Sequence, residues 1–222
     1  MKKLLKKLFL ILLSAVFLLG IAGGIVFSRY NHTSADRPEN LYSDEIPQLQ
    51  SKNDKDKDGI DDQTDILQSA LAYTETKPKY LSRYYDNGYP DDGYGVCTDL
   101  VANALKGAGY DLMEQVQKDI QSHAKDYDID TPDKNIDFRR VKNLRVYFSH
   151  TAKQLTTDTK KIEEWQGGDI VIFEDHIGIV SDRRNKDGVP YVIHHHDPWQ
   201  GTYEEDILQS RDDLTEHFRI SE

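Results

Sequence analysis

The strongest signal in the hydropathy pattern is Leu8 to Phe27, twenty residues without a charge, preceded by Lys2, Lys3, Lys6 and Lys7. A helix of that length spans the hydrocarbon core of a bilayer. No small-residue cleavage site and no lipid-accepting cysteine follow the run, so residues 1–30 read as a basic leader and an uncleaved anchor; a cleaved signal peptide is the alternative. Four lysines before the span and only Arg29 just after it orient the N-terminus to the cytoplasm and the remainder outside. Residues 31–53 are polar, contain Pro38 and Pro47 and lack an amphipathic period, which predicts a flexible tether.

From residue 66 the period is helical. Ile66, Leu67, Ala70 and Leu71 share one side of a predicted helix over 66–76, closed by Pro78. Val96, Leu100, Val101, Ala104 and Leu105 mark a second, ending near Gly107; Leu112, Val116 and Ile120 a third over 112–123; Phe138, Val141, Leu144, Tyr147 and Phe148 a fourth over 138–150. Tyr80, Tyr84, Tyr85 and Tyr89 lie between the first two, as core and groove wall. After Gly167-Gly168 the period becomes two, and the runs 169–173, 176–181 and 191–196 predict an antiparallel meander whose first turn is Glu174-Asp175. The tail predicts a short acidic helix over 203–208 and an edge strand holding Phe218 and Ile220. The class is therefore α+β, with N-terminal helices packed on a β meander in one domain over 66–222.

Charge narrows the partners. Residues 1–30 hold five basic residues and no acid, so the other 192 carry 23 basic and 39 acidic residues, a net of −16. Such a body disfavours nucleic acid. Thirteen tyrosines and seven phenylalanines supply a packed core, and the body freed of its anchor is expected to be a soluble monomer. A single cysteine excludes an internal disulfide and, in an exported chain, marks an intermolecular link or a reactive group.

Part of the acid excess is patterned. In the twelve residues 54–65, acids occupy positions 1, 3, 5, 9 and 12, with Gly59 at position 6. Oxygen ligands at this spacing suit a hard cation, the glycine allowing the sharp turn. The loop departs from an EF-hand by isoleucine at 7 and aspartate at 12, and more closely resembles the calcium loops of thrombospondin type 3 repeats. That resemblance implies Ca2+ ligands Asp54, Asp56, Asp58, Ile60 through its carbonyl, Asp62 and Asp65. A solvated acidic linker is the alternative reading.

Cys97 sits at a predicted helix start, where unpaired N–H groups and the macrodipole favour a thiolate, so its pKa is expected below the ~8.5 of a free cysteine. A buried core thiol is the competing reading. A thiolate needs a base, and the base a third group. Side-chain alternation puts His176, Gly178 and Val180 on one strand face, and Val192, His194 and His196 together on the next strand, with His195 turned away. His176 is thus the candidate base at a sheet rim, and His194 or His196 its partner. His194 and His196 with His176 or Asp197 also allow a zinc hydrolase. Asp99 serves the helix dipole, Tyr94 is a candidate oxyanion donor, Arg139 and Arg140 are expected in surface ion pairs, with binding of a substrate carboxylate as the alternative, and His123 and His150 at helix ends are surface or capping residues.

Gly168-Asp169-Ile170-Val171, His176-Ile177-Gly178-Ile179-Val180 and Val192-Ile193-His194 resemble segments of NlpC-type papain-like hydrolases, which cut peptide bonds in bacterial cell walls. Gly95-Val96-Cys97-Thr98-Asp99, Asp137-Phe138-Arg139-Arg140-Val141, His176 to Val180 and Glu216-His217-Phe218-Arg219 resemble more closely domain-of-unknown-function family 1287. The resemblance runs from about Ile66 to the C-terminus. It implies a papain-like fold in which Cys97 is nucleophile, His176 base and His194 the orienting residue, with a cell-wall peptide as substrate. The segment Val96-Cys97-Thr98-Asp99 departs from the D-C-S or D-C-x-G usual in NlpC enzymes. A catalytically silent binding or scaffolding domain is the rival function.

Overall fold

A computed structural model describes residues 2–221; Met1, of the leader, and Glu222, at the end of the expected domain, lie outside the described residues. Six α-helices are present among the described residues: α1 Lys2–Arg29, α2 Asp62–Glu75, α3 Cys97–Gly107, α4 Leu112–Ser122, α5 Lys134–Asp137 and α6 Val141–Thr151. The strands are β1 Lys79–Tyr80, β2 Tyr94–Gly95, β3 Lys153–Gln154, β4 Ile170–Phe173, β5 Ile177–Arg184, β6 Pro190–Ile193, β7 Glu204–Glu205 and β8 Leu214–Arg219. The fold is α+β, with an apolar N-terminal helix and a six-stranded antiparallel sheet in the order β3-β8-β4-β5-β6-β7. β1 and β2 form a separate parallel pair.

With mean hydropathy 2.7 over its apolar window and every side chain described exposed, α1 is long and apolar enough to cross a membrane. The body packs around α2 and α3, which lie against each other and against β5. Side-chain alternation divides the sheet. Ile170, Ile172, Ile177, Ile179 and Ile193 face the helices and join Ile66, Leu100, Leu105, Leu144 and Phe148 in the main core. Val171, Phe173, Val180 and Val192 face the other way and close over Trp165 and Leu208 in a smaller one.

The predicted meander is present as β4, β5 and β6, but His176 and His194 fall just outside the regular strands. Elsewhere tertiary contacts overrode the local pattern. α2 begins at Asp62, four residues early, because the Asp61 carboxylate caps it, accepting N–H groups from Thr64 at 3.3 Å and Ser51 at 2.8 Å. The helix expected over 138–150 begins only at Val141 as α6, because residues 138–140 form the turn after the short α5 and send Arg139 inward. Residues 203–208 hold β7 rather than a helix, since Glu204 and Glu205 pair with β6. Phe218 lies in β8, between β3 and β4, not in an edge strand.

Residues 31–53, expected as a flexible tether, make specific contacts with the body. Arg37 pairs with Asp182 and Glu204, Leu41 N–H donates to the Arg184 carbonyl at 2.9 Å, and Gln48 Nε2 donates to the Gly167 carbonyl at 2.9 Å.

Candidate active site

α3 is held at its first turn by a buried ion pair. The Asp99 carboxylate accepts the Val96 N–H at 2.9 Å and a bidentate pair from Arg139, Nε to Oδ1 at 2.6 Å and Nη2 to Oδ2 at 2.9 Å. Arg139 also donates to the Arg83 carbonyl at 2.7 Å. This corrects the surface role expected for Arg139: its ion pair is fully enclosed, and Asp99 serves both the helix start and a cation.

The arrangement presents Cys97 half-buried in a cleft of about 320 Å³, flanked by Tyr80, Ser82, Arg140, Lys142, Glu174 and Asp175. Backbone N–H groups of Ile177, Thr98 and Cys97 itself point at the sulfur and favour the thiolate, but the protein crowding around the thiol outweighs them and pushes its pKa up to about 11. The expectation of a depressed pKa is therefore corrected: desolvation, with help from the Asp99 charge, exceeds the pull of the helix start. A larger cleft, about 480 Å³, is lined by Tyr73, Pro78, Tyr94 and Asn103 and contains none of Cys97, His176 and His194. Tyr94 belongs to that wall, not to the Cys97 cleft, which corrects its expected oxyanion role.

His176 is buried one residue before Ile177, whose N–H meets the sulfur. Its Nε2 lies 2.9 Å from His194 Nδ1, and His194 Nε2 lies 3.3 Å from Glu205 Oε2. Gln200 Nε2 also lies 3.3 Å from His194 Nε2, but its two hydrogens go to the nearer carbonyls of His194, 3.1 Å, and Thr202, 2.8 Å, leaving His194 Nε2 to donate to Glu205. His194 Nδ1 must then accept from His176 Nε2–H, and Nδ1 becomes the basic nitrogen of His176. No hydrogen bond joins that ring to the thiol among the described residues. Burial, followed by the charges of His194, His196 and Arg211, pushes the His176 pKa down to about 2, so its imidazole is neutral. His194 is lowered too, chiefly by burial, with Glu205 opposing.

The exposed His196 ring sits 5.0 Å from that of His176 without a hydrogen bond to it, which leaves His194 as the partner. His195 turns away as alternation predicts and lies edge-on between Tyr80 and Tyr203, each 5.3 Å from it, with neither ring nitrogen hydrogen-bonded among the described residues. Glu205 escaped the sequence reading because 203–208 looks helical, and Gln200 because it lies in the loop after β6, where no period marks its direction.

Two groups of acids and histidines among the described residues come close enough to share a metal ion, Asp119 with His123 and His150, and Asp54 with Asp56 and Asp58. His176, His194 and His196 form no such group, which removes geometric support from the zinc alternative. In the first group His123 Nδ1 and His150 Nδ1 both bond the Asp119 carboxylate, at 2.9 and 2.7 Å, giving the two histidines a structural role. In the acidic loop Asp62 is not gathered with the other three; its oxygens accept from Lys55 N–H at 2.7 Å and Tyr110 hydroxyl at 2.5 Å.

A second buried network explains other motif residues. Asp169 accepts from Arg219 through Nε and Nη2, both 2.7 Å, from Gln63 at 2.8 Å and from the Gln166 N–H at 2.9 Å, and bonds His217 Nε2 at 2.9 Å. His217 in turn stacks on Trp165 at 3.9 Å. Gly168-Asp169 and His217-Phe218-Arg219 thus tie β4 to β8 and take no part in the cleft.

The chain is 38% identical over 140 residues to the uncharacterised protein YijF of Escherichia coli strain K12, an alignment covering 59% of this chain and 67% of that protein. No solved structure matches it. The profile described as a domain of unknown function, DUF1287, matches residues 67–220, which include every element from α3 to β8, and the chain therefore belongs to the DUF1287 family.

Proposed function

We propose that residues 66–222 form a papain-like cysteine hydrolase, held outside the cytoplasm by α1, that cleaves an amide or peptide bond in cell-wall peptide. The observation that carries this reading is the chain of contacts His176 Nε2 to His194 Nδ1 to Glu205, beginning one residue from the N–H that meets the Cys97 sulfur. Cys97 is the nucleophile, His176 the base, and His194 the residue that holds its tautomer, with Glu205 behind it.

In the reaction, the thiol proton passes to His176 Nδ1 as sulfur bonds to the carbonyl carbon. The imidazolium then protonates the departing amine as the C–N bond breaks, leaving a thioester. Water adds to the thioester with its proton going to the same nitrogen, and the proton returns to sulfur as the acid is released. The resting pair is neutral, since burial opposes either charge alone. Proton transfer creates the two charges side by side, at less cost than two lone buried ions.

Full-length protein in detergent, incubated with cell-wall muropeptides and followed by mass spectrometry, tests the reading. Product should form, vanish in Cys97→Ala and fall by about 10³-fold or more in His176→Ala, because nucleophile and base act as one unit. Turnover that survives Cys97→Ala would sink the cysteine mechanism, and loss of turnover to a zinc chelator would move the chemistry to a metal. The enclosed thiol, unbonded to His176, favours the second reading of a silent binding domain. Failure to cleave any envelope amide, with Cys97 labelled only on denaturation, would select it.

A further inference from the structure

Asp65 is buried, 6% exposed, and its Oδ2 has no hydrogen-bond partner among the described residues. A buried carboxylate without a donor or a cation is costly to keep. The charges acting on it are those of Asp58, Asp56, Asp54 and Asp61, all of its own sign. Three of these already converge: carboxylate oxygens of Asp54, Asp56 and Asp58 lie within 4.8 Å of one another, while Asp65, in the first turn of α2, lies outside that group. Backbone bonds fix that convergence. Asp54 accepts N–H groups of Asp58 at 3.2 Å and Gly59 at 3.0 Å, and Asp58 accepts that of Ile60 at 2.8 Å, while Gly59 turns the chain at φ +96°. The nearby Lys55 does not neutralise them, because its ammonium lies over the Tyr110 ring, 4.2 Å from the centroid.

We propose that Asp54, Asp56, Asp58 and Asp65, with the Ile60 carbonyl, bind one Ca2+ ion. An all-oxygen set drawn from a curved loop and a helix suits the irregular six to eight ligands of calcium better than the strict octahedron of magnesium. Asp62 stands outside this set, its oxygens engaged by Lys55 N–H and Tyr110. The ion would join the loop to α2 through Asp65, and to the turn after α3 through Asp56, which packs against Gly109. It would therefore brace the pair α2 and α3 from the end remote from Cys97.

The probe is Tb3+ bound to the full-length chain in detergent, with luminescence excited through Tyr110 and displaced by Ca2+. One site is expected, with a Ca2+ dissociation constant of about 10⁻⁴–10⁻³ M, the range of extracellular modules. Both Asp65→Asn, which keeps the shape and removes the unpaired charge, and the exposed Asp58→Asn should weaken it at least ~10-fold. The melting temperature of the native chain should rise with Ca2+ and return in EDTA, whereas that of Asp65→Asn should be indifferent to both. No displacement by about 10 mM Ca2+, or unchanged binding in both variants, overturns the proposal. Neither result bears on the thiol chemistry, which needs no metal.

Discussion

At Cys97 three N–H groups favour the thiolate and the surrounding protein opposes it, and the direction of the shift shows that enclosure dominates. Iodoacetamide labelling of the native chain should accordingly be slow at pH 7 and accelerate about tenfold per pH unit, since only the thiolate reacts and the pKa lies near 11. His176→Ala should leave that slope intact, because a neutral imidazole adds no charge to the sulfur's surroundings. A rate already flat between pH 7 and 9 would mean a preformed thiolate and would overturn this account. The placement of Cys97 at a helix start and of His176 beside His194 was legible in the sequence, as helix-start signals and period-two alternation are local properties. The sign of the thiol shift was not, because desolvation depends on what the rest of the chain packs around the sulfur.

Among the elements, β5 and β6 position the histidines, and their spacing depends on Gly178. A Cβ there would lie 2.6 Å from Val192 Cγ1, 2.9 Å from the Ile193 carbonyl oxygen and 3.2 Å from His194 Cβ. The carbonyl belongs to the sheet backbone and cannot swing aside. Gly178→Ala is expected to destabilise the domain by about 1–3 kcal/mol in urea unfolding and to displace His194, so the hydrolysis proposed above should fall more than stability alone explains. A variant with native stability and native turnover would show that β6 can yield. The meander was legible from its alternating runs, and α3 and α4 from their apolar faces. β8 was not, since its place between β3 and β4 is set by pairing across more than forty residues of chain. β7 was hidden because Glu204 and Glu205 are poor strand formers, held by β6 rather than by propensity.

For the whole molecule, the buried imidazoles make folding pH-dependent. His176, lowered to about 2, and His195, lowered to about 4, are neutral when folded, whereas in the unfolded chain they protonate near 6.5. The unfolded state thus binds more protons below 6.5, so the stability present above that value is lost as pH falls toward the folded pKa values. Between pH 7 and 5 His195 alone should account for about 2 kcal/mol of lost stability. His195→Phe, which keeps a ring between Tyr80 and Tyr203, should recover much of that loss in urea titrations at the two pH values. An identical drop in the variant would assign the acid sensitivity elsewhere. Geometry near the N-terminus also limits where such a domain can work. Two residues after α1 ends at Arg29, Asn31 Oδ1 accepts the N–H of Tyr80, a wall of the Cys97 cleft, and Tyr30 packs edge-on against Trp199 at 5.0 Å. A free linker over 31–53 would give a working radius of about 25 Å. These contacts at Tyr30 and Asn31 fasten the chain to the rim of the cleft directly after α1, so the reach of the domain from that helix is set by two residues and not by the length of 31–53.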